Sequence, residues 1–287
     1  MQELNISKSI ISISSPGTYL TRSDDATAQA DARKLTRQCN DYAAELSSQH
    51  PSSIGFWASL PLPDVRGALK EIQYIFDTLR ADGVTLETNH HGIYLGDPSL
   101  GSVFDELNRR HAKVFIHPTT PCIRSSNGST SAAPLSQFPS PMFEFMFDTA
   151  RAVMNLFLSG TVARCPNITF IIPHAGATIP PIIERFTSFA SIVGGDMNLT
   201  SQVVKDAFTT QFYFDLAGFP FPDQIWGLLR HVGVEKLLYG SDYPFTPDSV
   251  VKRLAGIMTV EMEKIWSEDE RRAVRFGNAR RLLEKAK

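Results

Sequence analysis

The sequence predicts an α/β fold, a (β/α)8 barrel of the TIM type with its first strand missing. Short apolar runs alternate with longer segments of helical period along nearly the whole of the 287 residues. Most of the runs are continuous in apolar or β-branched residues, as strands covered on both faces are. The alternation also repeats more often than an open doubly wound sheet requires. No break in composition marks a second domain, so one domain over residues 1–287 is expected.

Seven strands are expected, at Ser9–Ser14, Ile54–Ser59, Gly83–Thr88, Lys113–His117, Ile168–His174, Phe212–Leu216 and Lys236–Asp242, one fewer than a closed barrel needs. A helix over Asp24–Ser48 separates the first two. The segment after Pro63 predicts the next helix, with Leu69, Ile72, Ile75, Phe76 and Leu79 on one apolar face. Further helices are expected at Ser102–His111, Pro141–Leu158, Pro181–Val193, Ser201–Thr209 and Pro222–His231, and after Pro247 and Ser267. The Ser-, Gly- and Pro-rich stretch Thr119–Pro141 is expected to lack regular structure and, since it starts just past a strand end, to serve as a lid.

A net charge of −2 gives no reason to expect nucleic acid or an acidic membrane as partner. The three cysteines, Cys39, Cys122 and Cys165, are widely spaced and form no C-x-x-C pair, which fits reduced thiols in the cytoplasm. No signal peptide, membrane-spanning run or phosphate-binding glycine motif is evident, so neither a membrane partner nor a nucleotide cofactor is expected.

Chemistry in such a barrel sits at the C-terminal strand ends. Those ends carry Asn89, His90 and His91, then His117 ("VFIHP"), His174 ("IIPHAG"), Asp215 and Asp242 ("YGSDYP"). Singly, His117 reads equally as a turn cap and His174 as a core histidine; together they form a pattern. Asp242 lies between a core strand and the cluster Tyr243-Pro244-Phe245, where a bare carboxylate is costly. His and Asp are ligands that a borderline divalent cation takes, and such an ion would compensate the charge while the aromatic cluster shields it from water. His90 and His91, adjacent in an extended segment, are expected to point to opposite faces. Asp215 is expected to cap a turn and Glu87 remains open between pocket and structural roles. His50, His111 and His231 are expected to face solvent.

The set "KVFIHP", "FEFMFDTARAV", "ITFIIPHAG" and "LLYGSDYPF", with "SISSPGT", "TNHHGIYLGDP" and "GNARRLL" in order around it, resembles the metal-dependent decarboxylases of the amidohydrolase superfamily. Those include aminocarboxymuconate-semialdehyde, γ-resorcylate and 6-methylsalicylate decarboxylases. The resemblance implies non-oxidative decarboxylation of a small hydroxybenzoic acid, 6-methylsalicylate- or orsellinate-like, in aromatic polyketide synthesis. It implies a divalent metal, zinc or manganese, with His117 and Asp242 as ligands. Asp242 would also be the proton donor and His174 its catalytic assistant, while Arg151 would lie either near a subunit interface or in a surface ion pair. A homodimer or higher oligomer is implied. The family's first strand ends in H-x-H or E-x-H, which is not found here; the chain is expected to begin after that strand. A metal-independent lactone hydrolase of the same superfamily and a truncated, non-catalytic paralogue are the alternatives.

Overall fold

The alternation of strand and helix is present in the computed structural model of the chain, which describes residues 1–21, 23, 25–125, 128–194 and 198–284. Asp24, the expected start of the first helix, lies outside the described residues. Two compact units are formed, Met1–Phe170 and Ile171–Lys287.

In the first unit a 3-10 turn (Gln2–Leu4) precedes β1 (Ser9–Ile11), α1 (Ala26–Gln49), β2 (Ile54–Ser59), α2 (Val65–Asp77) and β3 (Gly83–Glu87). Then come the short strands β4 (Asn89–His90) and β5 (Ile93–Tyr94), α3 (Gly101–Arg109) and β6 (Lys113–His117). The hairpin strands β7 (Cys122–Ser125) and β8 (Gly128–Ser131) and the helices α4 (Glu144–Leu158) and α5 (Thr161–Arg164) complete it. The strands β1, β2, β3 and β6 pair side by side, all parallel. Helix starts follow side-chain chemistry: the Asp25 carboxylate accepts from Ala28 N–H at α1, and Asp64 does the same for Gly67 at α2. Phe56, Ala58, Val84, Leu86, Val114 and Ile116 form the strand core and are almost wholly buried. β2 and β3 are buried at the intervening positions too and so read as unbroken apolar runs, whereas β6 is fully buried only at alternate positions.

β9 (Thr169–Ile172) is followed, in the second unit, by α6 (Ile183–Ile192), α7 (Ser201–Thr210), β10 (Phe212–Asp215), α8 (Gln224–Leu228) and β11 (Leu237–Leu238). The helices α9 (Asp248–Ile265), α10 (Glu268–Arg272) and α11 (Asn278–Leu283) end the chain. β10 and β11 pair in parallel, with Asp215 opposite Leu238. Ser267 and Glu270 form a reciprocal capping box at the start of α10.

Two expectations are corrected. The Thr119–Pro141 stretch is not without regular structure: β7 and β8 pair antiparallel from Cys122↔Ser131 to Ser125↔Gly128. The polar composition of the stretch hides this pairing from a reading that looks for apolar runs; residues 126 and 127 lie outside the described residues. The last strand stops at Leu238 instead of continuing to Asp242, because Asp242 takes a left-handed backbone (φ 55°) that no strand accommodates. No helix among the described residues is long and apolar enough to cross a membrane.

Candidate active site

Each unit gathers part of the polar set at its strand ends. In the first, the register of β3 on β6 sets Glu87 opposite His117. Their side chains meet, with His117 Nδ1 3.5 Å from Glu87 Oε2, while the same nitrogen donates to the Pro118 carbonyl at 2.7 Å. Glu87 is 5% exposed, and burial raises its pKa even though the imidazole pulls it the other way. Gly17, at φ 78°, lies over this carboxylate; a Cβ there would come 3.2 Å from Glu87 Cγ, so a side chain at position 17 would press on the acid.

A cavity of about 330 Å³ opens beside this pair, bordered by Ser15, Ser59, Thr85, Glu87, His90 and Thr119. Ser59 Oγ, Thr85 Oγ1, Glu87 Oε2 and His90 Nε2 are buried and have no hydrogen-bond partner. Orphaned polar atoms are rare in folded proteins, and four around one cavity mark a place where a polar ligand completes the bonding. Burial holds His90 neutral, its pKa lowered to about 3. His91 is not extended as expected: it turns left-handed at φ 53°, and its Nε2 meets the Tyr19 carbonyl at 2.8 Å.

Behind the cavity stands Asp148, which the sequence reading passed over. It is fully buried and accepts from Thr88 Oγ1 (2.5 Å), Asn89 Nδ2 (2.9 Å) and Tyr94 Oη (2.5 Å), with Arg151 3.5 Å away. Thr88 in turn accepts from Thr119 N–H, and Asn89 donates to the Thr120 carbonyl. The segment after His117 is thereby tied to the segment after Glu87. Burial and the bond to Asp148 push the Tyr94 phenol upward, so it stays a donor. Arg151 is the half-exposed partner in an ion pair within its own helix. The detectable signal was an acid at a core-facing helix position, since Glu144, Asp148 and Ala152 all fall on the buried face of α4.

In the second unit the backbone does the positioning. His174, Ala175, Gly176 and Ala177 run consecutively at positive φ, between 53° and 79°. Such strain persists only where surrounding bonds over-determine it, and it clusters at functional sites. The bonds are present: His174 N–H donates to Asp215 Oδ1, Gln224 Nε2 donates to the carbonyls of His174 and Ala177, and His174 Nδ1 lies 3.2 Å from the Ala217 carbonyl. Asp215 also accepts from Ala217 N–H, so its expected turn-capping geometry is what the structure contains. Burial raises the Asp215 pKa, offset in part by His174. Asp242 is half-buried and is steadied by Thr246, whose hydroxyl donates to Oδ2 at 3.1 Å. Tyr243 and Phe245 do not shield it as expected, being 60% and 70% exposed. His231 is also corrected: it is half-buried, and burial lowers its pKa.

The amidohydrolase family model matches residues 14–285. The chain belongs to the amidohydrolase family. It is 33% identical to the 6-methylsalicylic acid decarboxylase of Penicillium expansum over 289 residues, covering 100% of this chain and 84% of that enzyme. Among solved structures, an amidohydrolase II superposes with a TM-score of 0.85 at 34% identity, covering 99% of this chain and 86% of that one. A dihydroxybenzoic acid decarboxylase from Polaromonas, solved with bound manganese and 2-nitroresorcinol, gives 0.80 at 19% identity, covering 100% of this chain and 85% of that one. The family fold is the amidohydrolase type of TIM barrel, as the repeated strand–helix alternation predicted.

The divalent metal that the resemblance implies can be tested against these residues. Glu87 Oε2 is a buried acceptor without a donor, set beside an imidazole, and carboxylate plus imidazole is a donor pair that suits a borderline cation. Two donors alone do not hold such a cation, and His117 Nδ1 is already bonded to the Pro118 carbonyl, so this pair as it stands does not fit the metal. Among the described residues no three His, Cys, Asp or Glu side chains gather into one metal-holding group.

Proposed function

We propose that this amidohydrolase-family chain is a carboxy-lyase that removes CO₂ non-oxidatively from a small hydroxybenzoic acid of the 6-methylsalicylate or orsellinate type. The observation that carries the reading is the cavity with its four orphaned polar atoms. About 330 Å³ is at the small end of ligand pockets, the size class of a single substituted ring rather than of a nucleotide or a peptide. The relatives named above support the reaction class.

In this reading the ring carbon bearing the carboxylate must first take a proton. The C–H bond forms there, the C–CO₂ bond then breaks, and the electron pair of that bond restores aromaticity as CO₂ leaves. Asp242 is the proposed proton donor, four residues beyond the last strand, with its carboxylate oriented by Thr246. His174 is its proposed assistant; the strained loop and the Asp215 bond hold its backbone, and the Ala217 carbonyl meets its ring at Nδ1. His117 and Asp242 are the proposed metal-facing residues of their respective units. A divalent ion, zinc or manganese, would supply charge stabilisation and a fixed orientation for the substrate's carboxylate and neighbouring hydroxyl. Cytoplasmic location is proposed from the wide spacing of Cys39, Cys122 and Cys165, which suits reduced thiols. A homodimer or larger assembly is proposed from the family resemblance.

The test is CO₂ release from 6-methylsalicylate, compared between the wild-type chain and Asp242→Asn. Loss of roughly 10²–10⁴-fold in the variant is expected for removal of a general acid. Retained turnover removes Asp242 from that role. Chelator-insensitive hydrolysis of a lactone, with no CO₂ release, would assign the chain to the hydrolases instead.

A further inference from the structure

Two of the four orphaned atoms are neighbours by register. Ser59 and Thr85 are paired on the adjacent parallel strands β2 and β3, so both side chains rise from one face of the sheet, and both border the cavity. Each residue is 4% exposed, and neither hydroxyl has a hydrogen-bond partner. Buried hydroxyls kept for packing alone normally turn to a nearby carbonyl, as Thr149 does to Phe145 and Thr187 to Ile183. Neighbouring strands lie about 4.8 Å apart, so one oxygen set between the two hydroxyls can reach each at about 2.8 Å. The slot between them is rigid. The side-chain amide of Asn40 clasps the Ser59 backbone, accepting from its N–H at 2.8 Å and donating to its carbonyl at 3.0 Å. Asn40 also donates to Glu71, and Thr85 lies inside β3, paired with Phe115 on its other side.

The chemistry around the slot narrows its occupant. An acid, Glu87, borders the same cavity, and no Lys or Arg is among its described lining residues, so a carboxylate placed there would be buried without a counter-charge. A methyl group would leave both hydroxyls unpaired. A neutral hydroxyl can donate to one and accept from the other, and Leu60 and Leu62 border the cavity as apolar surface for the ring that carries it. We propose that Ser59 and Thr85 form a subsite for a ring hydroxyl remote from the reacting carboxylate, so that the chain prefers a dihydroxylated acid of the orsellinate kind over the monohydroxylated 6-methylsalicylate. This rests on the decarboxylase reading above and chooses between its two substrate types.

The experiment has two arms, each run on the full wild-type chain, Ser59→Ala and Thr85→Val. The first compares CO₂ release from orsellinate and from 6-methylsalicylate. The second measures calorimetric binding of orcinol, the product of the dihydroxylated acid, and of toluene, the same ring without hydroxyls. Wild type is expected to favour orsellinate by at least about 100-fold in kcat/KM, because a site built to bond a hydroxyl rejects the analogue that lacks it. Each variant should lower that ratio about tenfold, and should narrow the gap between orcinol and toluene by a similar factor. An equal or reversed preference in wild type, or a ratio unchanged in either variant, overturns the subsite and leaves the decarboxylase reading standing. Failure to release CO₂ from either acid overturns that reading, and binding then decides the subsite alone. Orcinol bound more tightly than toluene, with the gap narrowed in both variants, supports it; equal or absent binding, or a gap the variants leave unchanged, overturns it. Should one variant fail to fold, the other and the wild-type comparison decide.

Discussion

The two units hold their reactive groups by different means. In the first, side chains do it: one buried carboxylate, Asp148, gathers Thr88, Asn89 and Tyr94 and through them steadies both strand ends around Glu87 and His117. In the second, the main chain does it: four consecutive left-handed residues present His174, held by Asp215 and Gln224. A side-chain web loses most when its central acceptor is removed. A strained backbone gains when its strain is relieved. The contrast therefore predicts opposite responses to mutation at the two ends.

The largest effect is expected at the centre of the web. Asp148→Ala leaves several buried donors without an acceptor and should cost about 3–5 kcal/mol in urea unfolding. Asp148→Asn, which keeps one accepting oxygen, should cost clearly less; equal costs would mean the charge matters and the geometry does not.

The second effect depends on pH and also belongs to the first unit. His90 has its folded pKa lowered to about 3 by burial, against an ordinary value of 6.5. Between those values the unfolded chain binds the extra proton, so the stability from this group is complete above about pH 6.5 and is lost as pH falls toward 3. The slope is about 1.4 kcal/mol per pH unit, so roughly 2 kcal/mol should disappear between pH 7 and pH 5. In His90→Gln that part of the acid loss should vanish; unfolding curves at the two pH values measure it. An unchanged slope would mean the ring is already satisfied or hydrated.

A smaller change of opposite sign is expected in the second unit. Ala177 sits at φ 54° and ψ −126°, a conformation that glycine adopts without a Cβ penalty. Ala177→Gly should raise stability by about 1 kcal/mol, the reverse of the usual result for that exchange. Lower stability would show that burial of the methyl group outweighs the strain. The smallest effects are expected from Tyr243→Ala and Phe245→Ala, each within about 0.5 kcal/mol, since neither ring is covered.

The sequence made the strands legible because burial on both faces writes an unbroken apolar run, and β2 and β6 begin and end at the expected residues. His117, His174 and Asp242 were legible because a polar residue ending such a run is conspicuous. The partnership of Glu87 with His117 was not, since it depends on a strand register that pairs residues 30 positions apart, which no local pattern encodes. Asp148 was missed because its partners come from a different stretch of chain and Arg151, three residues on, supplies a ready local explanation. The hairpin after β6 was hidden by composition, because Ser, Thr and Gly pair their backbones well when few apolar side chains are there to announce it.

The Asp148 web has a consequence for how the first unit opens. Thr88 N–H bonds to the His117 carbonyl, Thr119 N–H to the Thr88 hydroxyl and Gly92 N–H to the Asn89 amide oxygen. With Thr88 and Asn89 both held by one carboxylate, these three amides have no independent way of reaching solvent. Their hydrogen–deuterium exchange should follow a single shared rate, as one cooperative unit that lets go all at once.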